Sequence, residues 1–395
     1  MNILYLGYFC NENLFNELVE AGSKSSHARQ QFEKNLLDGL MQGMTNDKLE
    51  IISYLPKIGR IRKIAGCGED YKGIQIKYLW CNKKNLGSII KAGYKNKCFI
   101  KRWLKRTRGD KQIILTYSVN PLLVIPAFWL RVWYQVPVVT VCSEISTFRR
   151  KGSLGFISSI SRRIASLLDN SFDGYILLTE AMNEIVNKFR KPNIVIEGIA
   201  VIEEEEQKKT QKKRAILYAG GLTHDNGIEI LLDGFVEMDQ PETELWIYGE
   251  GPLEDLVKTY AAKHPNVIFQ GIRPHEEILE REKEAKLLIS PRFSNNEFTK
   301  YSFPSKIIEY MSSGTPAILT RLPGIPDEYF DYVYVLNDES ASGVKKMLTE
   351  LLLIHQKELD SKGEKARKYI YEHKDSLQQG RKIITFVRQI GRGGK

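Results

Sequence analysis

Short apolar runs alternate along the chain with longer stretches in which apolar residues return every three or four positions. In the first half, Asn2–Tyr8, Ile51–Leu55, Ile74–Leu79, Ile113–Tyr117, Val138–Cys142, Gly174–Leu178 and Asn193–Ile196 have the length and apolar content of buried strands. A polar loop, Asn11–Ser26, leads to a helical pattern at His27–Met41, and Asn120–Gln135 reads as a buried or half-buried helix between two strands. A second series follows, with strands at Ala215–Ala219, Glu244–Tyr248, Asn266–Gln270, Ala285–Ser290, Ala317–Thr320 and Tyr332–Leu336. Helical patterns fit Gly227–Met238, Pro252–Lys263, His275–Lys283, Pro304–Ser313 and Ser340–Gln356. Such alternation predicts an α/β protein with parallel sheets covered by helices on both faces. The polar run Glu203–Arg214, EEEEQKKTQKKR, separates the two series and marks the domain boundary. The expected division is therefore a domain over 1–200, a second over 201–360, and a tail of one or two amphipathic helices within 361–395. Two such domains in tandem leave a cleft between the carboxyl ends of their strands, where ligands bind.

The totals narrow the class. A chain of 395 residues with 42% hydrophobic and 27% charged content suits two globular domains. The longest apolar run, Pro121–Leu130, contains two prolines and is too short to span a bilayer. The start, MNILYLGYF, lacks a signal peptide's basic region and reads as a first buried strand. Cys10, Cys67, Cys81, Cys98 and Cys142 form no C-x-x-C pair, which fits reduced thiols in a cytoplasmic protein. No His/Cys cluster has metal-ligand spacing. Net charge is +10, but residues 1–200 hold 30 Lys+Arg against 16 Asp+Glu, whereas 201–395 hold 28 against 32. The excess is densest in Lys91–Lys111, where nine basic residues and one acid interleave with Tyr94, Phe99, Ile100, Trp103 and Leu104. That composition suits an anionic membrane surface, with nucleic acid as the rival partner and a solvated helix face as the plain alternative.

The chemistry concentrates in Pro291–Thr320, PRFSNNEFTKYSFPSKIIEYMSSGTPAILT, which reads as loop, helix and strand. Pro304 suits the first helical position and Gly314 the residue past the helix end. Lys306 then falls in the first turn, where a cation opposes the helix dipole at a cost of roughly 0.3–1 kcal/mol. An anion at that helix start would rationalise it, with Glu309 one turn on able to accept from hydroxyls. An ordinary Lys306–Glu309 helical ion pair is the alternative. Three further strand ends carry glycine turns or polar loops: Tyr218–Gly227 (YAGGLTHDNG), Tyr248–Pro252 (YGEGP) and Phe269–Arg273 (FQGIR). The first has neither the P-loop lysine nor G-x-G-x-x-G.

In this order, YAGGLTHDNGIEILLDGF, LWIYGEGPLEDL, VIFQGIRP and FPSKIIEYMSSGTPAILT resemble the donor-binding half of family-4 glycosyltransferases, closely over residues 214–336 and in outline elsewhere. The F-P-S-K-x-x-E form is similar to enzymes of bacterial surface-polysaccharide assembly, including those of capsule and O-antigen. The resemblance implies a GT-B fold of two Rossmann-like domains with parallel sheets facing across a cleft: an N-terminal acceptor domain and a C-terminal donor domain, with the last helix returning to the first domain. It also implies a nucleoside-diphosphate sugar donor (UDP-linked above all), retention of configuration and no required metal or other cofactor. Glu309 corresponds to the glutamate that holds the donor ribose. Gly220 and Gly221 would approach the diphosphate, Gly249 and Gly251 on the next turn would belong to the same donor site, and the main chain at Ile272 and Arg273 would lie near the base.

Where many relatives carry Arg and Lys in the first glycine turn, this chain has Gly221 and Asn226, and Tyr301 replaces a second glutamate. Diphosphate stabilisation would fall to Lys306 and Arg292. Sugar recognition would fall to Tyr301, Ser302, Pro304 and Ser305. Glu144, past the Val138–Cys142 strand, is a candidate to face the reacting sugar or a capping carboxylate. Gly22–His27 and Arg149–Lys151 could meet an acceptor or only water, and His224 is a proton carrier or an exposed loop residue. The expected function is transfer of a hexosyl or N-acetylhexosaminyl group to a hydroxyl of a lipid-linked or other membrane-associated glycan. The enzyme would be cytoplasmic, peripheral on the inner face of the membrane, and without a nucleic-acid partner. A nucleotide-sugar epimerase or phosphorylase of the same fold, a non-catalytic GT-B partner and a nucleic-acid-binding protein are the competing readings.

Overall fold

A computed structural model describes residues 1–23, 27–56, 69–82, 85–145, 163–201 and 211–391. Cys67, Arg149, Arg150, Lys151, Ser26 and most of the Glu203–Arg214 run therefore lie outside the described residues. The chain divides into two compact units, Met1–Ile199 with Ser376–Lys395, and Ala200–Asp375.

The first unit is built on eight strands: β1 (Asn2–Gly7), β2 (Lys48–Pro56), β3 (Glu69–Tyr71), β4 (Ile74–Cys81), β5 (Gln112–Tyr117), β6 (Val138–Cys142), β7 (Gly174–Leu177) and β8 (Asn193–Val195). Their spatial order is β3-β4-β2-β1-β5-β6-β7-β8, parallel except for the β3–β4 hairpin at the edge. Strand β1 is buried along its whole length, as a strand covered on both faces requires. The expected loop after it contains a helix, Glu12–Glu20. Asn11 caps it by accepting from the Leu14 amide at 2.8 Å, and Leu14, Phe15 and Leu18 pack into a small core with Cys10 and Leu55. The C-terminal helix Ser376–Ile390 packs on His27–Gly43 within this unit. Gly39 and Gly380 allow the approach, because a Cβ on either would overlap backbone of the opposite helix. Arg388 and the chain's own amino terminus both pair with Asp47, which lies beside them.

Helix Pro121–Tyr134 buries Leu123, Val124, Ala127 and Leu130 but leaves Ile125, Trp129, Val132 and Trp133 exposed. Pro126 lacks the N–H that would serve the Leu122 carbonyl. Buried Asn96, on helix Leu86–Arg106, supplies the missing donor to Leu122 O at 2.9 Å.

The second unit carries β9 (Lys213–Ala219), β10 (Glu244–Tyr248), β11 (Val267–Gly271), β12 (Ala285–Ser290), β13 (Ala317–Thr320) and β14 (Tyr334–Leu336). Its order, β11-β10-β9-β12-β13-β14, is parallel throughout. The chain runs from β9 to one side and from β12 to the other, so the topological switch lies between these two neighbours. Helix Gln356–His373 belongs to this unit and packs on helix Ser305–Ser312; Gly363 makes room for the Gly314 carbonyl.

Candidate functional site

The switch point gathers the segments that the sequence singles out. After β9, residues Gly220–Asn226 form a closed turn. The Gly221 carbonyl accepts from Thr223 N (3.0 Å), Tyr218 Oη (2.8 Å) and Asn226 Nδ2 (2.7 Å). Asn226 thus locks the turn. The Gly220 amide is committed to Tyr248 O at 3.0 Å. Gly249 and Gly251 sit behind this turn as backbone spacers. Gly249 has φ +129°, and a Cβ on it would overlap the Gly220 carbonyl; one on Gly251 would overlap that of Leu222.

After β12 the chain crosses back over the turn. Phe293 N donates to Asp225 O at 3.1 Å, and Gly227, at φ +72°, lies against the Pro291 carbonyl. The Arg292 guanidinium sits 5.5 Å above the Phe298 ring. It is also near enough to Tyr218 to oppose the upward push that burial gives that phenol. His224 is exposed, its Nδ1 2.6 Å from Glu229 Oε2 and its ring against Phe293. A short 3-10 turn, Glu297–Tyr301, delivers Tyr301 and Ser302 to the next helix. The Ser302 hydroxyl is buried with no hydrogen-bond partner among the described residues.

That helix spans Ser305–Ser312, starting one residue later and ending one residue earlier than the Pro304–Ser313 pattern predicts. Pro304 is extended (ψ 115°) and is the N-cap, not the first helical residue. Proline has no side-chain acceptor, and the helix start carries no capping bond. The amides of Ser305 and Lys306 therefore lack intrahelical partners and face outward from the helix start. Tyr310 ties the helix to the switch point: its buried hydroxyl accepts from Ala219 N, at the end of β9, at 2.9 Å. Gly314, at φ +73°, follows the helix end as expected.

Lys306 is neither free nor in a simple pair. Its ammonium bonds Glu309 and lies 3.7 Å from Glu282 Oε1, on helix His275–Glu284. Glu282 is fully buried, and Lys306 and Glu309 keep 27% and 17% side-chain exposure. Burial, and then the Glu309 charge, push the Glu282 carboxyl well above the ordinary range, which favours its neutral form. Burial would also raise Glu309, but the Lys306 charge overrides it and holds Glu309 low. Lys306 itself is pulled down by burial, and Glu309 first and Glu282 second more than offset this. The cluster is thus a lysine between a carboxyl group held low, Glu309, and a buried one pushed up, Glu282. Sequence reasoning finds the first two and misses the third: Glu282 sits in EREKEAK, where helix phase alone separates it from Glu280 and Glu284.

Ile272 and Arg273 are exposed beyond the end of β11, two strands from β9. Arg273 donates to Gln270 Oε1 at 3.0 Å. Glu144 belongs to the first unit, where it is exposed just past β6.

No curated protein matches the chain by sequence. Residues 200–369 match the family described as glycosyl transferases group 1. Among solved structures the chain is similar to Anabaena Alr3699/HepE in complex with UDP and glucose, at TM-score 0.65 and 13% identity, covering 98% of this chain and 100% of that one. It is similar to sucrose-phosphate synthase from Thermosynechococcus elongatus, at TM-score 0.65 and 14% identity over 99% of both chains. A mutant of S. aureus TarM in complex with fondaparinux, α-GlcNAc-glycerol and UDP matches at TM-score 0.53 and 16% identity; the match covers 73% of this chain and 58% of TarM. The chain thus spans a little over half the length of TarM. The protein has the GT-B fold, and its residues 200–369, nearly all of the second unit, match glycosyl transferases group 1.

Proposed function

We propose that the protein is a retaining, metal-independent glycosyltransferase of the family-4 type that uses a nucleoside-diphosphate sugar. The observation that carries this reading is the meeting, at one topological switch point, of an uncapped helix start, Lys306 beside it and the closed Gly220–Asn226 turn. Each is an anion-binding element in its own right. The diphosphate sits against the Ser305 and Lys306 amides and the Gly221 amide, with the Lys306 and Arg292 charges around it. Glu309 accepts from the ribose hydroxyls. The base extends toward Ile272 and Arg273, about 10 Å away at the two-strand spacing of a sheet. Tyr301 and the Ser302 hydroxyl face the donor sugar.

In the reaction, the acceptor hydroxyl attacks the anomeric carbon on the face that the diphosphate leaves. The bond from that carbon to the β-phosphate oxygen breaks, and the hydroxyl proton passes to the departing phosphate. Lys306, Arg292 and the helix amides hold the charge that develops there, which is the work a metal ion would otherwise do. A UDP-linked donor is favoured because HepE and TarM are similar in fold and bind UDP. The acceptor is a hydroxyl of a lipid-linked or other membrane-associated glycan in surface-polysaccharide assembly, such as capsule or O-antigen. The enzyme works at the cytoplasmic face of the membrane. Among the described residues no helix is long and apolar enough to cross one.

A thermal-shift screen against UDP, GDP, ADP and CMP sugars tests the donor, since a ligand that binds only the folded state raises its stability. Incubation with labelled donor alone tests the chemistry. Slow hydrolysis to the nucleoside diphosphate is expected, and epimerised donor without release would overturn the transferase reading.

A further inference from the structure

Two adjacent helices of the first unit share an exposed face that the donor site does not use. Helix Leu86–Arg106 shows Leu86, Ile90 and Tyr94 to solvent, each more than half exposed. Helix Pro121–Tyr134 shows Ile125, Trp129, Val132 and Trp133, the last two above 70%. The helices are fixed to one another. Asn96 donates to the carbonyls of Leu122 and Leu123 at 2.9 and 3.2 Å, and Gly93 lies against Leu122. Lys97 joins the two exposed lines, its ammonium 3.6 Å from the centre of the Trp129 ring, and Trp129 and Trp133 lie 6.1 Å apart.

Helical spacing puts Ile90, Tyr94, Lys97 and Lys101 in one line, and Ile125, Trp129 and Trp133 in the other. The two lines meet at Lys97 and Trp129, so the apolar residues form one face rather than scattered points. The charge carried by the first of these helices is of a single sign. Leu86–Arg106 contains seven Lys and Arg and no acid. Arg106 is paired with Glu50, while Lys91, Lys95, Lys101, Arg102 and Lys105 are exposed.

We propose that this two-helix face docks the protein on an anionic lipid bilayer, with Trp129, Trp133 and Val132 entering the headgroup region and the lysines meeting lipid phosphates. Tryptophan and tyrosine suit that layer because one end of each ring system is apolar and the other polar. A row of exposed cations with no acid along the same helix is what the negative surface potential of such a membrane attracts. A folded protein partner would leave five unpaired cations around an apolar patch unless it were itself acidic throughout. Nucleic acid would leave Leu86, Ile90 and Val132 in water. The face extends the Lys91–Lys111 basic stretch with an aromatic helix that its sequence does not mark as exposed.

The test is flotation of the full chain with phosphatidylcholine vesicles and with vesicles containing 30% phosphatidylglycerol. Binding should be at least tenfold stronger to the anionic vesicles and should weaken in 0.5 M salt. Tryptophan fluorescence should shift to the blue and be quenched by brominated acyl chains. A Trp129→Ser, Trp133→Ser, Val132→Asn variant should lose at least tenfold in vesicle binding with its melting temperature unchanged, because these side chains are exposed. Lys91→Glu with Lys101→Glu should abolish the lipid preference. Equal binding to both vesicle types, unchanged binding by the triple variant, or displacement from vesicles by low concentrations of a DNA or RNA oligonucleotide would overturn the proposal. UDP-induced stabilisation is a separate readout, so failure here and failure of the donor-site reading are distinguishable.

Discussion

Replacing Lys306 by Met keeps the length of the side chain and removes its charge. The variant leaves Glu309 against Glu282 with no cation between them. Breaking a buried ion pair by removing one partner costs about 3–5 kcal/mol; with Lys306 27% exposed and Glu282 able to keep its proton, about 2–3 kcal/mol is the expected share. For a unit of this size each kcal/mol lowers the melting temperature by roughly 2–4 °C. The loss depends on pH, and its sign follows from the carboxyl groups. Burial already raises Glu282, and without Lys306 the same desolvation raises Glu309 as well. An acid whose folded pKa is raised contributes stability that is complete below its unfolded value, about 4.5 (range ~4–4.5), and is lost as pH climbs through the folded value. The gap between wild type and variant should therefore be smallest near pH 5 and widen toward pH 8.

Catalysis should fall separately. Loss of a group that stabilises a developing anion costs roughly 10²–10³ in kcat, and loss of a charged hydrogen bond to bound UDP about 1.5–3 kcal/mol. Scanning calorimetry at the two pH values and turnover of a UDP-sugar give both readouts. Adding Glu309→Gln, which removes the carboxylate left without its cation, should restore most of the stability at pH 8 without restoring turnover. A melting-temperature gap that does not change with pH, or turnover within a few-fold of wild type, would refute the reasoning.

Glu282→Gln alone should cost less than about 1 kcal/mol in urea unfolding, because burial favours the neutral form of this carboxyl and glutamine is a neutral group of the same shape; a loss several times larger would mean that the charged form matters. Tyr310→Phe removes the acceptor of the Ala219 amide and should cost about 1–3 kcal/mol, together with a raised KM for the donor, since the helix start would no longer be fixed to β9. Gly249→Ala places a Cβ on the Gly220 carbonyl at a φ of +129°. The backbone strain alone costs about 1–3 kcal/mol, and UDP-induced stabilisation should shrink because the turn behind the diphosphate is pushed out of place.

The parallel order of both sheets was legible because buried strands such as β1 and β9 are continuous apolar runs of strand length. Helix Glu12–Glu20 was not legible: it buries only Leu14, Phe15 and Leu18, and its cap, Asn11, reads equally well as part of a polar loop. The β3–β4 hairpin turns on Lys72 and Gly73, both at positive φ, and lysine gives no hint of that conformation. At the site, Lys306 stood out because a cation at a helix start is out of place. The role of Asn226 became clear only from its bond to the Gly221 carbonyl, which makes it a lock on the turn rather than a lost cation. Glu282 stayed hidden because burial of one glutamate in a charged helix depends on what packs over it. The aromatic face of Pro121–Tyr134 stayed hidden for the converse reason: an apolar helix between two strands reads as core until its neighbours show which side they cover.

The most direct test of the donor site is calorimetric titration of UDP into the wild-type protein and into Lys306→Met at pH 7. UDP should bind the wild type at one site per chain, and the variant at least tenfold more weakly. Equal affinity for the two proteins, or no binding of any nucleoside diphosphate by the wild type, would contradict the assignment of the switch point in the second unit as the nucleotide-sugar site.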